Sequence, residues 1–517
     1  MPQFIKVDEN SYIDSMETMF ATSLMLNIAG IQTVYVGMAI PSNKDVLAQL
    51  GFKSELIDAA QPNDLIYAAQ AESEAVFLAG MQAVQEWRSE AARSSAGRES
   101  YASIAAALAA HPDANICSIA VPGEYARAET EKALNAGLHC IVFSNNVPLE
   151  DERAMKELAR EKGLLCMGPD CGVANINGIA FVLASITNKG PFGVCAASGC
   201  GLQHVAAFLH ANGSGVSQGI GTGGADLKDP VGGISMLMGI DALEQDPVTQ
   251  YIVLVSRKPG EAILKKILAR ISACKKPVVA FFMGSEKAEV EASGAIWAAN
   301  LDDCAEKALA LVGKQLQFTS DAELSALAAQ AIQGMNAQQQ YVRGAYLGGT
   351  YCDEAQRAMR AKIGDIYSNS PLSPELKLAD SYVSVKNCVI DYGEEEFTLG
   401  RPHPTMEPGV RQPSFMREAN DPETAVILLD VILTPSGPLD PAAAIAAEVK
   451  KAKELVKQRG GSLAVVASVL GTDADLQNAA KQRQTLQEAG VLVCQSNYRA
   501  ALLAGEIIRL KNARDGR

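Results

Sequence analysis

Hydrophobic and polar positions follow two regimes along this chain. From residue 114 onward, short apolar runs alternate with stretches whose apolar residues recur at helical spacing. ICSIAVP, HCIVFS, YIVLVS (251–256), PVVAFFM (277–283), AVILLDVIL (425–433) and SLAVVASVL read as buried strands. Ala126–Ala136 and Glu150–Lys162 read as the helices between them. Strand–helix alternation of this kind predicts βαβ units and mostly parallel sheets. Groups that do chemistry are then expected at the carboxyl ends of the strands. That picks out Pro122–Gly123, Ser144–Asn145–Asn146 and Gly168–Pro169–Asp170.

The chain before residue 114 has a weaker pattern. QFIKV (3–7) is a strand, and Asp14 with Glu17 forms a capping-box pattern opening a helix through Ile28. A strand follows at Thr33–Val36, then Pro41–Gly51 as turn and short helix. The small polar run 89–100 (SEAARSSAGRES) is expected to be a mobile loop. No glycine-rich loop follows the first strand, where a dinucleotide or CoA pyrophosphate would want one.

With 517 residues the chain is too long for one core, and its rhythm divides it into three α/β units. The expected boundaries are 1–188, 189–312 and 340–517, with 313–339 a polar helical linker. Composition narrows the partners. A net charge of −14 and no basic block exclude a nucleic-acid backbone as partner. The eleven cysteines include no CxxC pair, and the five histidines are scattered, so neither a disulfide framework nor a metal site is expected. Ala21–Ser42 has no charged residue, yet its Asn27, Gly30, Gln32 and Pro41 read as helix end and strand rather than as a membrane span. With its acidic lead-in, the chain is expected to be soluble and cytoplasmic.

The main candidate for chemistry is Gly190–His204, GPFGVCAASGCGLQH. A buried strand runs into Ser198, Gly199, Cys200 and Gly201, after which apolar residues take helical spacing. A small-residue turn at a helix N-terminus exposes backbone N–H groups to an anion. The plain alternative is a sharp turn with no ligand. Gly223, Gly224 and Asp226 of GIGTGGADL are expected to line the same pocket, and Gly348, Gly349 and Thr350 form a second turn of this type. Arg257 offers a clamp for phosphate or carboxylate, unless it pairs with Glu261. Arg401 and His403 are held between prolines in GRPHP, and His403 is the general acid/base candidate, with a structural role as its alternative. Glu394–Glu396 reads as a solvated face. Cys200 and Cys352 sit at helix starts, where a lowered thiol pKa would make a nucleophile.

Several of these segments occur together in one known group of proteins. GPDCGVANINGIAF, GPFGVCAASGCGLQH and GIGTGGADLKDPVGG resemble the α subunit of succinyl-CoA synthetase in order and spacing. The third unit resembles the carboxyl-terminal domain of that enzyme's β subunit. GLLCMGPDCG, SGVSQGIGTGGADL, LGGTYCDE and GRPHP together resemble the FdrA-like family of acyl-CoA-synthetase-related proteins, in which these units are fused. The resemblance implies a divergent CoA-binding Rossmann-like domain followed by two flavodoxin-like domains of succinyl-CoA-synthetase type, with mostly parallel sheets. CoA is the one cofactor it implies, and the missing glycine loop speaks against it.

The chain departs from the synthetase where that enzyme does its chemistry. The phosphorylated histidine of the synthetase corresponds to Ala292 in Ala292-Ser293-Gly294-Ala295, and the glutamate that orients it falls near Arg257. The 313–339 segment is far too short for an ATP-grasp domain. What the resemblance then implies is a subunit of a group-transfer enzyme without phosphohistidine, of the oxamate carbamoyltransferase kind, acting on carbamoyl phosphate with partner subunits and as a homo-oligomer. The alternatives are an ADP-forming acyl-CoA synthetase that borrows ATP-grasp from another chain, and a non-catalytic scaffold that binds CoA or an anion.

Overall fold

The computed structural model describes residues 1–13, 15–26, 28–94, 99–398 and 403–517. Three strands open the chain: β1 (Gln3–Asp8), β2 (Ile31–Met38) and β3 (Leu65–Ala71). They form an antiparallel sheet in the order β1-β3-β2. The β1–helix–β2 unit leaves a gap one strand wide, which β3 fills. Its residues alternate between two cores. Leu65, Tyr67, Ala69 and Ala71 face Met25, Phe77 and Met81, while Ile66 and Ala68 face Leu47, Phe52 and Ile57.

Residues 1–188, expected to form one Rossmann-like unit, therefore carry more than one sheet. A separate parallel sheet is formed by β4 (Ile116–Ile119), β5 (His139–Val142) and β6 (Cys166–Met167). The hairpin of β7 (Val173–Ile176) and β8 (Ile179–Val182) belongs to the next sheet, through pairing of β7 with Gln218 and Gly219. The sequence pattern hides β3 because LIYAAQA is buried on both faces and shows no alternation. The expected loop at 89–100 is also corrected. Its first part continues the helix Glu74–Ser94, since Glu, Ala and Arg are good helix formers whatever their polarity. Residues 95–98 lie outside the described ones.

The third sheet adds to the β7–β8 hairpin β9 (Lys189–Ala196), β10 (Val216–Gly221), β11 (Tyr251–Ser256), β12 (Val278–Phe282) and β13 (Ile296–Trp297). Its order is β13-β12-β11-β9-β10-β7-β8, parallel except at the β7–β8 edge. The last sheet is parallel throughout. It contains β14 (Tyr341–Tyr346), β15 (Tyr367–Ser368), β16 (Cys388–Asp391), β17 (Thr424–Ile432), β18 (Ala464–Leu470) and β19 (Leu492–Cys494). The order is β15-β16-β14-β17-β18-β19. In both sheets the first parallel strand lies inside, β9 between β10 and β11, and β14 between β16 and β17. Each sheet thus has a switch point at the carboxyl end of that strand. Among the described residues, no helix is long and apolar enough to cross a membrane.

One apolar core joins these two sheets. Phe192, Val194 and Leu202 belong to the same buried cluster as Val342, Tyr346 and Leu428. The segment 313–339, expected to be a polar helical linker, carries a helix and adds Leu324, Ala328 and Met335 to this core. Ser320 and Glu323 cap the helix Asp321–Ala331, whose Leu324 and Ala328 are buried and whose Ser325 donates to Glu506 at 3.0 Å. Polar groups add a second join. His204 Nδ1 lies 2.9 Å from the Tyr351 hydroxyl, and Glu354 accepts from Leu301 N at 3.1 Å and Asn497 Nδ2 at 2.9 Å. Burial, with Asp302 nearby, pushes the Glu354 carboxyl up to about 7.

Candidate functional site

The two switch points face each other. After β9, Ser198 caps the helix Gly199–Ala211, its Oγ accepting from Gly201 N at 2.9 Å. After β14, the helix Gly349–Ile363 starts behind Gly348 with no side chain capping it. The hydroxyls of Ser198 and Thr350 lie 2.8 Å apart, so the two N-termini are held against one another. A Cβ on Gly348 would fall 2.7 Å from Cys200 Sγ. A Cβ on Gly349 would fall 2.7 Å from both Arg257 Nη2 and Asp391 Oδ2. Only glycine allows the two sheets to approach this closely. The result is a cleft of about 690 Å³. Two helix N-termini open into it, each equivalent to about half a positive charge.

Cations and amides surround those N-termini. Arg257 and Lys258 follow β11 and are exposed at the rim. Arg257 Nε stands 4.0 Å from Asp353 Oδ2, too long for a hydrogen bond, and the expected pairing with Glu261 is replaced by this looser one. Asn145, Asn146, Pro169 and Asp170 reach the cleft from the ends of β5 and β6. Gly223 and Gly224 close its floor. Gly223 has φ +84°, and a side chain there would run into the Pro169 carbonyl.

Asp226 does not share this lining. It is fully buried, its Oδ1 taking Lys156 Nζ at 2.8 Å and Ser235 N at 3.1 Å, and its Oδ2 taking Met236 N at 2.9 Å. It anchors the start of the helix Ile234–Gln245. Lys156 is equally buried and gives its other protons to Glu152 Oε1 at 2.6 Å and Thr222 O at 2.9 Å. The residue pattern hid this triad, although Glu152 and Lys156 stand one helical turn apart.

Burial holds both thiols in the protonated form, against the lowered pKa expected at a helix start. Burial, with Asp430 and Asp391 close by, pushes Cys200 up to about 12, and burial, with Asp391 close by, raises Cys352 well above the usual thiol range. The helix N-terminus does not compensate for desolvation between two packed sheets. His403 lines the cleft, and its Nδ1 accepts from Thr405 N at 3.3 Å and lies 2.8 Å from Thr405 Oγ1. Since a backbone N–H only donates, the ring proton belongs on Nε2. Burial pushes the imidazole down to about 4, so the ring is neutral at neutral pH. It therefore offers a hydrogen-bond donor through Nε2 instead of the expected base. Arg401 lies outside the described residues.

Two carboxyl groups at strand ends were missed. Asp430 interrupts the apolar run of β17, a signal that was available in AVILLDVIL. It accepts from Leu347 N and Gly348 N, both at 2.9 Å, and pairs with Arg411 Nη1 at 3.0 Å. Asp391 ends β16 and is 2% exposed. Its Oδ1 accepts from Gly393 N at 2.8 Å. Burial, with Glu394 and Asp430 near, pushes its carboxyl up to about 7 against the Gly393 hydrogen bond and Arg257. Among the described residues no group of three His, Cys, Asp or Glu is arranged to hold a metal ion.

Residues 345–507 match the family model described as CoA-ligase, and residues 1–103 match the one described as AllF, heavy metal-associated domain. Residues 1–103 contain neither cysteine nor histidine, and Met25, Met38 and Met81 are core residues there. That donor set does not fit a heavy metal. The uncharacterized protein YahF of Escherichia coli (strain K12) is 38% identical over 505 residues, covering 98% of each chain. The α subunit of ADP-forming succinate–CoA ligase from Methanothermobacter thermautotrophicus is 27% identical over 176 residues, 34% of this chain and 58% of that subunit. The solved structure of ATP citrate lyase from Methanothrix soehngenii in complex with citrate and coenzyme A aligns over 80% of this chain and 86% of that one, at 16% identity and a TM-score of 0.36.

Proposed function

The chain belongs to the FdrA-like family of acyl-CoA-synthetase-related proteins, built on a CoA-ligase scaffold, and from that premise we propose that it is a group-transfer subunit whose cleft binds an acyl phosphate, carbamoyl phosphate in particular. The observation that supports this reading is the pair of facing helix N-termini at Ser198–Gly201 and Gly348–Thr350, with Arg257 and Lys258 at their rim. Free amides and two cations suit a dianionic phosphate. The acyl group would extend toward Asn145, Asn146 and His403, whose amides and Nε2–H polarise a carbonyl oxygen. Ala292 stands where the synthetase carries its phosphohistidine, so the phosphate is handled as part of a bound substrate instead of on the protein.

A CoA-ligase reading is favoured by the match at 345–507 and by the wall of the cleft along Phe143–Leu149, long enough for a larger ligand. The relatives so named act on CoA as substrate. This reading needs another chain to supply ATP-grasp.

Thermal unfolding of the full chain with inorganic phosphate, carbamoyl phosphate, CoA and ATP in turn separates the two, because a native-state ligand raises Tm by mass action. Carbamoyl phosphate and phosphate are expected to raise Tm. Replacing Arg257 by Ala is expected to weaken both about 10- to 100-fold, the loss of one charge-assisted hydrogen bond of roughly 1.5–3 kcal/mol. A response to CoA and ATP alone overturns the proposal.

A further inference from the structure

The carboxyl group of Asp391 has no part in that reading, yet it projects into the same cradle. We propose that Asp391 is the proton-transfer group of the cleft: as an acid it hydrogen-bonds a phosphate oxygen, and as a carboxylate it takes the proton of the nucleophile that displaces that phosphate. The proposal rests on the anion cradle described above and adds the acid/base group that a transfer reaction requires.

The position of Asp391 is fixed on several sides. β16 pairs with β14 so that Asp391 stands opposite Tyr346, just before the turn to Gly348 and Gly349. Asn369 holds its backbone at both ends, accepting from Asp391 N and donating to Asp391 O, each at 2.9 Å. Gly393 N holds Oδ1 at 2.8 Å. Oδ2 is left on the cleft side, sharing with Arg257 Nη2 the space beside Gly349 at the open helix N-terminus. An anion bound to that N-terminus lies within reach of both.

Asp170 also lines the cleft, its carboxyl pushed up to about 6 by burial beside Glu152, but it follows β6 and lies away from the Gly349 turn. Four other ionisable groups around the cradle are already committed. Asp430 on β17 is held by Arg411 and two backbone amides, Cys200 on the facing helix keeps its proton, and His403 is neutral with Nδ1 occupied. Asp353 on the Gly349 helix pairs with Arg357 at 2.8 Å. Burial, Glu394 and Asp430 favour the protonated form of Asp391, while Arg257 and the Gly393 N–H favour the ionised form. The balance near neutrality is what a relay needs, since it must give and receive a proton in one turnover. Asp391 also differs from the missing phosphohistidine in kind, because it forms no bond to phosphorus.

The transfer step balances with one co-reactant, a nucleophile that carries its proton on nitrogen or oxygen. The nucleophile's lone pair forms a bond to the acyl carbon, and the bond from that carbon to the phosphate oxygen breaks, its electron pair leaving with the phosphate. Asp391, protonated beside the bound dianion, gives its proton to the departing phosphate, which leaves as the hydrogen phosphate ion. The Asp391 carboxylate then takes the proton that the nucleophile loses, which restores the acid.

Sulfate tests the group directly, because it mimics the dianion and does not itself titrate near neutral pH. A second negative charge beside Asp391 raises its affinity for a proton, so sulfate binding to the full chain at about pH 7.5 should take up protons. Calorimetry in two buffers of different ionisation enthalpy measures the uptake. Asp391→Asn is expected to bind sulfate within about threefold of wild type with the uptake abolished. Asp391→Glu and His403→Gln are expected to keep the uptake. Sulfate binding without uptake in wild type, or unchanged uptake in Asp391→Asn, overturns the assignment. No sulfate binding in wild type overturns the anion cradle itself. If Asp391→Asn fails to fold, the wild-type pH profile decides: an uptake maximum just above pH 7 supports the relay, and a flat profile overturns it.

Discussion

Gly349 shows how a single residue without a side chain makes the cleft. The space its Cβ would fill is bordered by Arg257 Nη2 and Asp391 Oδ2, the ends of two side chains from different strands. The exposed Arg257 end can swing away while the Asp391 carboxylate stays held by Gly393 N, so Gly349→Ala is expected to fold, with Tm within a few degrees of wild type. It should nevertheless bind inorganic phosphate at least about tenfold more weakly, because the added methyl occupies the open helix N-terminus and separates the two groups. Titration of phosphate against both proteins checks this, and equal affinity would place the ligand elsewhere. At this scale the turn residues were legible: Ser198–Gly201 and Gly348–Thr350 follow apolar runs and break them. The protonation states of Cys200, His403 and Asp391 were not. Each depends on how much water the opposite sheet removes.

Among the elements, the helix Leu149–Lys162 does more than cover a sheet. Its Glu152 and Lys156 meet Asp226 in a fully buried triad that ties the β4–β6 sheet to the start of the helix Ile234–Gln245. Lys156→Met leaves two buried carboxyl groups without their cation and is expected to destabilise the protein by about 3–5 kcal/mol. Urea unfolding measures it, and a loss under about 1 kcal/mol would show that the carboxyl groups relax by taking up protons. The β7–β8 hairpin had a usable sequence signal that went unread. Asn177 and Gly178 both have positive φ, 53° and 81°, the geometry favoured by an Asn-Gly turn between two strands. Asp226 was placed wrongly because a glycine-rich loop identifies a turn but not the direction in which its side chains point.

For the whole molecule, the cleft belongs to two sheets at once. The core they share, with the Ser198–Thr350 and His204–Tyr351 contacts, makes their relative placement part of the site. Saturating phosphate is therefore expected to slow amide hydrogen exchange at both Gly199–Gly201 and Gly349–Thr350, and to leave β1–β3 unchanged. Protection on one side alone would mean that the two N-termini do not act on one ligand. The N-terminal sheet remains outside this coupling. Its own two cores enclose it on both faces.

The amino-acid sequence by itself determined the α/β class, the parallel sheets from residue 114 onward and the two small-residue turns, because strand runs and turn glycines are local properties. Only the tertiary structure decided that β3 inserts antiparallel between β1 and β2, that Asp226 is an anchor, and that Asp391 shares a cradle with Arg257. Those outcomes depend on which strand ends meet across a buried interface, and residues far apart in the chain carry no local trace of that meeting.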